Sequence, residues 1–403
     1  MITMQASPFA QIELAPPDPI IGLTEAFNND TNPKKVSLGA GVYQDGAGKV
    51  PILEVVHEAQ ERLLEKEETK NYMPIDGIPA FNQQAQSFLL GADSGVLAGA
   101  RAVTVQALGG TGALKVGADF LKRFFGASQV WISDPSWENH RQLFEAAGFT
   151  VNSYPYYDPK TRGLDFTSML DALKKLPARS IVVLHACCHN PTGVDPGREE
   201  WTRLVDLFQT AGLIPFFDIA YQGFGEGIDA DAFAVRAFAE AGIPCLAAQS
   251  FSKSFALYRE RVGALTVVTT SEEEAKRVRS QLKRVIRTNY SSPASHGAQL
   301  VASVLADAGL RARWEGELAE MRDRIRRMRE LFVRRIREKG VEQDFSFIER
   351  QRGMFSYSEL PRETVDRLRS DYSIYVVGSG RVCVAALNEK NIDYVCEAIA
   401  ESL

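Results

Sequence analysis

A chain of 403 residues, 45% of them hydrophobic, has enough apolar material for one large core and a second smaller one, so two domains are expected. Its formal net charge of −5 offers no general attraction to nucleic acid or to an anionic membrane. The longest apolar stretches, such as Ser180 to Cys188, are far short of a membrane span, and no Lys or Arg precedes Ile21 to begin a signal peptide, so a cytoplasmic protein is expected.

The proline-rich segment Pro16-Pro17-Asp18-Pro19 cannot be helical and predicts an extended arm of the kind that lies on a partner subunit. From about residue 100 to 270, short runs rich in Val, Ile and Phe alternate with helical stretches. These runs are Ala102 to Leu108, Gln129 to Ser133, Phe149 to Tyr154, Ser180 to Ala186, Leu213 to Asp218, Cys245 to Ser250 and Val262 to Thr269. They predict an α/β domain with a mostly parallel, seven-stranded sheet between helices, whose ligands gather at the carboxyl ends of the strands.

After Pro293 the pattern changes to long helix. Between Arg311 and Lys339, Trp314, Leu318, Met321, Ile325, Met328, Leu331, Phe332 and Ile336 draw one apolar stripe, and Gly340 stops it. Arginines crowd around that stripe, Arg329 among them. The interleaved Glu315, Glu317, Glu320, Asp323, Glu330 and Glu338 favour a solvated, salt-bridged face over a nucleic-acid surface. Beyond it, Phe345 to Glu349, Met354 to Ser358 and Arg381 to Ala385 read as short strands, with helices at Val365 to Ser370 and Lys390 to Ser402, which predicts a small α+β domain.

Five cysteines, Cys187, Cys188, Cys245, Cys383 and Cys396, lack framework spacing and read as small core residues. The run Cys187-Cys188-His189 invites a metal or a thiol nucleophile. Adjacent strand residues point to opposite faces, however, and with only five histidines no metal site is expected.

Four strand ends carry residues with chemical potential. Gly109-Gly110-Thr111-Gly112 joins the first strand to a helix, where free backbone N–H groups and a helix dipole suit a phosphate. It matches neither a dinucleotide fingerprint nor a Walker loop, and taken alone it is equally a plain helix start. Asp218 ends an apolar strand and needs a cation there. Asn190, in His189-Asn190-Pro191-Thr192-Gly193, is on its own a better turn former than a ligand. Lys253, in Ser250-Phe251-Ser252-Lys253-Ser254-Phe255 with Arg259 and Arg261 close behind, is placed where desolvation and like charge lower an ammonium pKa. A neutral lysine attacks carbonyls.

A phosphate cradle, a carboxylate, an amide, a phenol and an activated lysine on successive strand ends suit pyridoxal 5′-phosphate. The runs Gly109 to Leu114, Asp134 to Trp137, His189 to Gly193, Asp218 to Tyr221, Ser250 to Lys253 and Ser379-Gly380-Arg381 resemble those of the class I aspartate and aromatic aminotransferases, and the likeness extends from about Pro19 to Leu403. The resemblance implies the fold type I architecture of pyridoxal-phosphate enzymes. Residues 1–48 would form the arm and first part of the small domain, 49–312 the large cofactor-binding domain, and 313–403 the linking helix and remainder of the small domain.

It also implies roles for single residues. Lys253 would hold the cofactor and shuttle the proton, Asp218 would pair with the pyridinium nitrogen, and Asn190 and Tyr221 would bond the phenolic oxygen. Trp137 would stack on the ring, with His140 and His185 supporting Asp218. Gly110, Thr111, Ser250 and Arg261 would bind the phosphate, joined by Tyr72 of a second subunit in a homodimer with shared active sites. Arg381 would take the substrate α-carboxylate as a bidentate fork, Arg287 from the neighbouring subunit the distal one, and Gly41 would close over the substrate.

The implied reaction is a ping-pong exchange between L-aspartate and 2-oxoglutarate, giving oxaloacetate and L-glutamate. The alternative is an aromatic or dual-specificity enzyme acting on tyrosine and phenylalanine. Asn71 and Thr111 look like the aspartate branch, Ser292 and Met73-Pro74 like the aromatic one. A transcriptional regulator built on the same fold would carry an added DNA-binding segment, for which the chain has no room before Pro16. A nicotinamide dehydrogenase would carry the glycine fingerprint.

Overall fold

Seven strands form one sheet: β1 (Ala102–Leu108), β2 (Val130–Asp134), β3 (Val151–Pro155), β4 (Ile181–His185), β5 (Ile214–Ile219), β6 (Cys245–Ser250) and β7 (Val262–Val268). In this computed structural model, which describes residues 7–15 and 20–403, they lie in the order β1-β7-β6-β5-β4-β2-β3. Only β7 runs antiparallel to its neighbours, β1 and β6. All other pairs are parallel. Each of the seven predicted runs is a strand of this sheet. The expected arm at Pro16 to Pro19 lies outside the described residues.

Sequence pattern explains the layering. Within β4, Ile181 and Val183 join one apolar cluster while Val182 and Leu184 join another, because successive strand residues face opposite ways. A sheet buried on both faces uses near-continuous apolar runs, and in β4, β6 and β7 every residue is buried. Helix α1 (Gly109–Phe124) leaves β1 without an intervening loop and packs on β6 and β7. Three further helices matter for the site: α2 (Glu138–Ala146), α3 (Glu272–Asn289) and α4 (Ala308–Glu338).

The 31-residue α4 is the long helix expected from the stripe. Asp307 caps it by accepting from the N–H groups of Gly309 and Leu310, each at 2.9 Å, and Gly340 ends it at φ 78°. Of the stripe only Leu331 stays partly exposed. Behind α4, β8 (Phe355–Tyr357) pairs antiparallel with β9 (Arg381–Cys383). Val36–Ser37 pairs parallel with Ile374–Tyr375, and the Cys383 N–H donates to Leu38 O at 2.8 Å, so the segment around Leu38 is tied to the last third of the chain.

Two expectations fail here. Phe345 to Glu349 is no strand: Asp344 accepts from the Ser346 N–H at 2.9 Å and starts the turn that leads into the short helix Phe347–Arg350. The alternating Phe345 and Phe347 are buried without being extended. Arg329 does not belong to a solvated face either. It is buried, its guanidinium donates to Ile348 O (3.3 Å), Gly353 O (2.7 Å), Phe355 O (2.6 Å) and the Ser356 hydroxyl, and burial pushes its pKa down to about 10.

A cation spent on backbone carbonyls is a structural pin. Arg329→Met strands those carbonyls, at about 1–3 kcal/mol for each acceptor left without a donor. A clear fall in melting temperature is expected. Arg326→Met, on the exposed side of the same helix, should change stability by about 0.5 kcal/mol or less. Equal melting of the two variants in calorimetry would refute the pinning role.

Candidate active site

At the carboxyl ends of the parallel strands lies a cavity of about 370 Å³. Gly41, Gly110, Thr111, Trp137, Asn190, Asp218, Tyr221, Ser250, Lys253, Arg261 and Arg381 all line it. The sheet accounts for most of this convergence, since parallel strands deliver their exit loops to one edge.

One wall is built for an anion. The chain turns from β1 into α1 at Gly109, with φ 72°, so the first N–H groups of α1 face the cavity beside Gly110 and Thr111. A Cβ at Gly110 would lie 3.1 Å from the Ser250 Cβ, a tight contact that Ser250 would have to yield to, so glycine leaves this wall unstrained. The Ser250 hydroxyl accepts from the Ser252 N–H at 3.2 Å. Arg261 is steadied by donating to Tyr258 O at 2.8 Å. A guanidinium, hydroxyls and a helix N-terminus thus surround one volume, the donor set of a phosphate site.

The cavity also holds a buried carboxylate. The Asp218 carboxylate accepts from His140 Nε2 at 2.9 Å, and His140 Nδ1 meets the Ser136 hydroxyl at 3.0 Å. Burial on its own would raise the Asp218 pKa. The hydrogen bond and charge of His140, together with His185 and Lys253, hold it below the ordinary carboxylate value. His185 packs between the rings of His140 and His189, at 4.9 and 4.3 Å. Burial first, then its two histidine neighbours, drives its pKa well down, so it stays neutral; its Nε2 is buried without a partner.

Lys253 occupies the floor, its Nζ 5.2 Å from the centre of the Tyr221 ring. Desolvation, opposed by Asp218 and reinforced by Arg261, pushes its pKa down to about 8. Burial raises the Tyr221 phenol above its usual value, so that hydroxyl remains protonated. Trp137 leads into α2 and sets its ring edge-on to His140 at 5.2 Å.

Arg381, on β9, forms another wall. It is 1% exposed and donates to Asn190 Oδ1 at 3.1 Å and Gly39 O at 2.9 Å, with its guanidinium 4.3 Å from the Phe355 ring centre. Gly41 closes over Phe355: a Cβ there would fall 2.8 Å from the Phe355 Cζ.

Tyr72 and Arg287 do not line this cavity. Tyr72 is 92% exposed, and Arg287 is exposed on the last turn of α3, where it donates to the Ser291 hydroxyl. Several lining residues escaped the sequence reading. Ser252 adjoins Lys253 and follows from the same run. Glu138 likewise adjoins Trp137, whereas Tyr258, whose hydroxyl accepts from the Tyr43 N–H at 2.8 Å, and Phe355 are brought in only by folding. The alternation argument that parted Cys187 from Cys188 also fails, because β4 ends at His185 and Cys188 has φ 52°. Both thiols come within 4.8 Å of an Asp231 oxygen, but that carboxylate already accepts from the N–H groups of Gly223, Gly225 and Glu226.

The profile of the family described as "Aminotransferase class I and II" matches residues 33–399. An aspartate aminotransferase of Pseudomonas aeruginosa is 55% identical over 98% of this chain and 99% of its own length. The aromatic-amino-acid aminotransferase of Escherichia coli is 48% identical over 97% of this chain and 99% of its own. Among solved structures, the aromatic-amino-acid aminotransferase of Burkholderia pseudomallei, covalently bound to pyridoxal phosphate, is 58% identical. It superposes with a TM-score of 0.96, covering 98% of this chain and all of that one.

Proposed function

The chain belongs to the class I and II aminotransferases, and from that premise we propose that it moves the amino group of L-aspartate to 2-oxoglutarate, using pyridoxal 5′-phosphate. The observation that carries this reading is the pairing, in one cavity, of a lysine whose amine is half released at about pH 8 with a buried carboxylate kept ionised.

The residues fit the cofactor. At Gly110 a Cβ would crowd Ser250, and Ser250, Thr111 and Arg261 line the cavity beside it, which suits the phosphate. Asp218 is a buried anion that lacks only a cationic ring nitrogen. When bound, pyridoxal phosphate supplies an aldehyde for amines and a ring that withdraws electrons from the carbon beside them.

The chain's own groups do the rest. Lys253 Nζ takes the proton from the substrate Cα and returns one on the other side of the exchange, work suited to a group with a pKa near the working pH. Asp218, oriented by His140, holds a proton on the facing nitrogen by making that charge favourable. Asn190 and Tyr221 offer hydrogen bonds across from it. Arg381 takes the α-carboxylate in a fork, and Phe355 and Gly41 exclude water above it.

The exposure of Tyr72 and Arg287 supports a homodimer in which each subunit lends these two residues to its partner, Tyr72 to the phosphate and Arg287 to the distal carboxylate. Residues 1–48 and 313–403, which carry Gly41, Phe355 and Arg381, then act as the smaller body closing on 49–312. Among the described residues no helix is long and apolar enough to cross a membrane, and five free, buried cysteines suit the reducing cytoplasm. The likeness to aromatic aminotransferases favours a second activity on tyrosine and phenylalanine.

Steady-state turnover with aspartate, tyrosine and phenylalanine against 2-oxoglutarate tests the reading, and no turnover with any of them would end it. The lysine offers a separate check. Its amine reacts only when neutral, so uptake of pyridoxal phosphate by the apoprotein, followed by its visible absorbance, should quicken as pH rises through about 8. A rate indifferent to pH across that range would remove Lys253 as the attacking group.

A further inference from the structure

Arg381 is sealed from solvent, yet no carboxylate among the described residues hydrogen-bonds to it. Its two terminal nitrogens are taken by neutral oxygens, and its Nε is buried without a partner. A buried guanidinium in that state lacks a counter-charge. The nearest one is Glu138, whose Oε2 stands 3.9 Å from Arg381 Nη1 and is likewise buried with no hydrogen-bond partner. Both side chains line the same cavity.

Glu138 reaches this place as the first residue of α2, directly after Trp137, where the helix dipole favours a carboxylate. Its side chain is 32% exposed, so it has a path out to solvent that Arg381 lacks. The contact is therefore one of charge without a locked hydrogen bond. Resting on the α-carboxylate role assigned to Arg381 above, we propose that Glu138 is the counter-ion of the empty cavity and competes with the incoming carboxylate for that guanidinium.

The consequence is an affinity setting common to all substrates. Two carboxylates cannot share one side of a buried cation without repulsion, so Glu138 must give way each time a substrate binds. Aspartate and phenylalanine differ in side chain but share the α-carboxylate, so both meet the same opposition. A carboxylate that weakens substrate binding in this way raises KM without entering the proton transfer at Lys253.

The test uses the holoenzyme and Glu138→Gln, which keeps size and removes charge. KM for L-aspartate and for L-phenylalanine should fall by a similar factor, about three- to tenfold, with the change carried by KM. Calorimetric binding of 3-phenylpropionate, which has no amino group to react, should tighten by the same factor, whereas L-phenylalaninamide should bind equally to both proteins. Glu138→Ser should act in the same direction. An unchanged or higher KM, with unchanged or weaker binding of the acid, overturns the proposal. Failure of the wild-type enzyme itself to bind 3-phenylpropionate would instead defeat the role given to Arg381, which separates the two readings.

Discussion

Lys253→Ala should abolish amino-group transfer, with a loss beyond the roughly 10²–10⁴-fold that a positioned proton carrier contributes by itself. Among the described residues no other lysine lines the cavity, so neither the covalent attachment nor the proton transfer has a substitute. The fold should survive. The folded pKa of about 8 lies below the ordinary 10.5, so the buried ammonium is an unfavourable charge; that penalty is present in full below pH 8 and fades as pH rises toward 10.5. With both proteins freed of cofactor, the variant at neutral pH should therefore melt no lower than the parent. Near-normal turnover in purified Lys253→Ala would refute the assignment.

Arg287→Ala should separate the substrates. The guanidinium is exposed in the single chain and, in a homodimer, would face the distal carboxylate in the partner's cavity. Losing a hydrogen bond to a charged group is worth about 1.5–3 kcal/mol, roughly ten- to a hundredfold in kcat/KM for aspartate. Phenylalanine has no second carboxylate and should lose far less. Equal losses on both substrates would show that Arg287 does not set specificity. Mixing the Lys253→Ala and Arg287→Ala proteins and letting subunits exchange offers a sharper check. A hybrid dimer would contain one cavity with both residues intact, so aspartate turnover should return, and no recovery after proven exchange would argue against shared sites.

How far the sequence could be read depended on how local each signal was. The strand runs of the sheet stood out because burial on both faces forces near-continuous apolar stretches, and for Cys245–Ser250 the predicted and observed ends coincide. Lys253, Asp218 and Asn190 were legible because each sits beside a strand end within its own recognisable run. Phe345 to Glu349 misled, because alternating buried aromatics look the same whether a sheet or a turn buries them.

Periodicity was sufficient to determine the α/β architecture, and the resemblance carried by the runs around Gly110, Asn190, Asp218 and Lys253 pointed to the family, since both signals lie in residues close in sequence or in strand order. Only the tertiary structure decided that Arg329 is a buried pin, that Phe355 and Tyr258 wall the cavity, and that Glu138 faces Arg381 without a hydrogen bond. The physical reason is distance along the chain: whether a charge meets solvent, a carbonyl or another charge depends on segments tens to hundreds of residues away, and an isolated Arg or Glu carries no mark of which it will find.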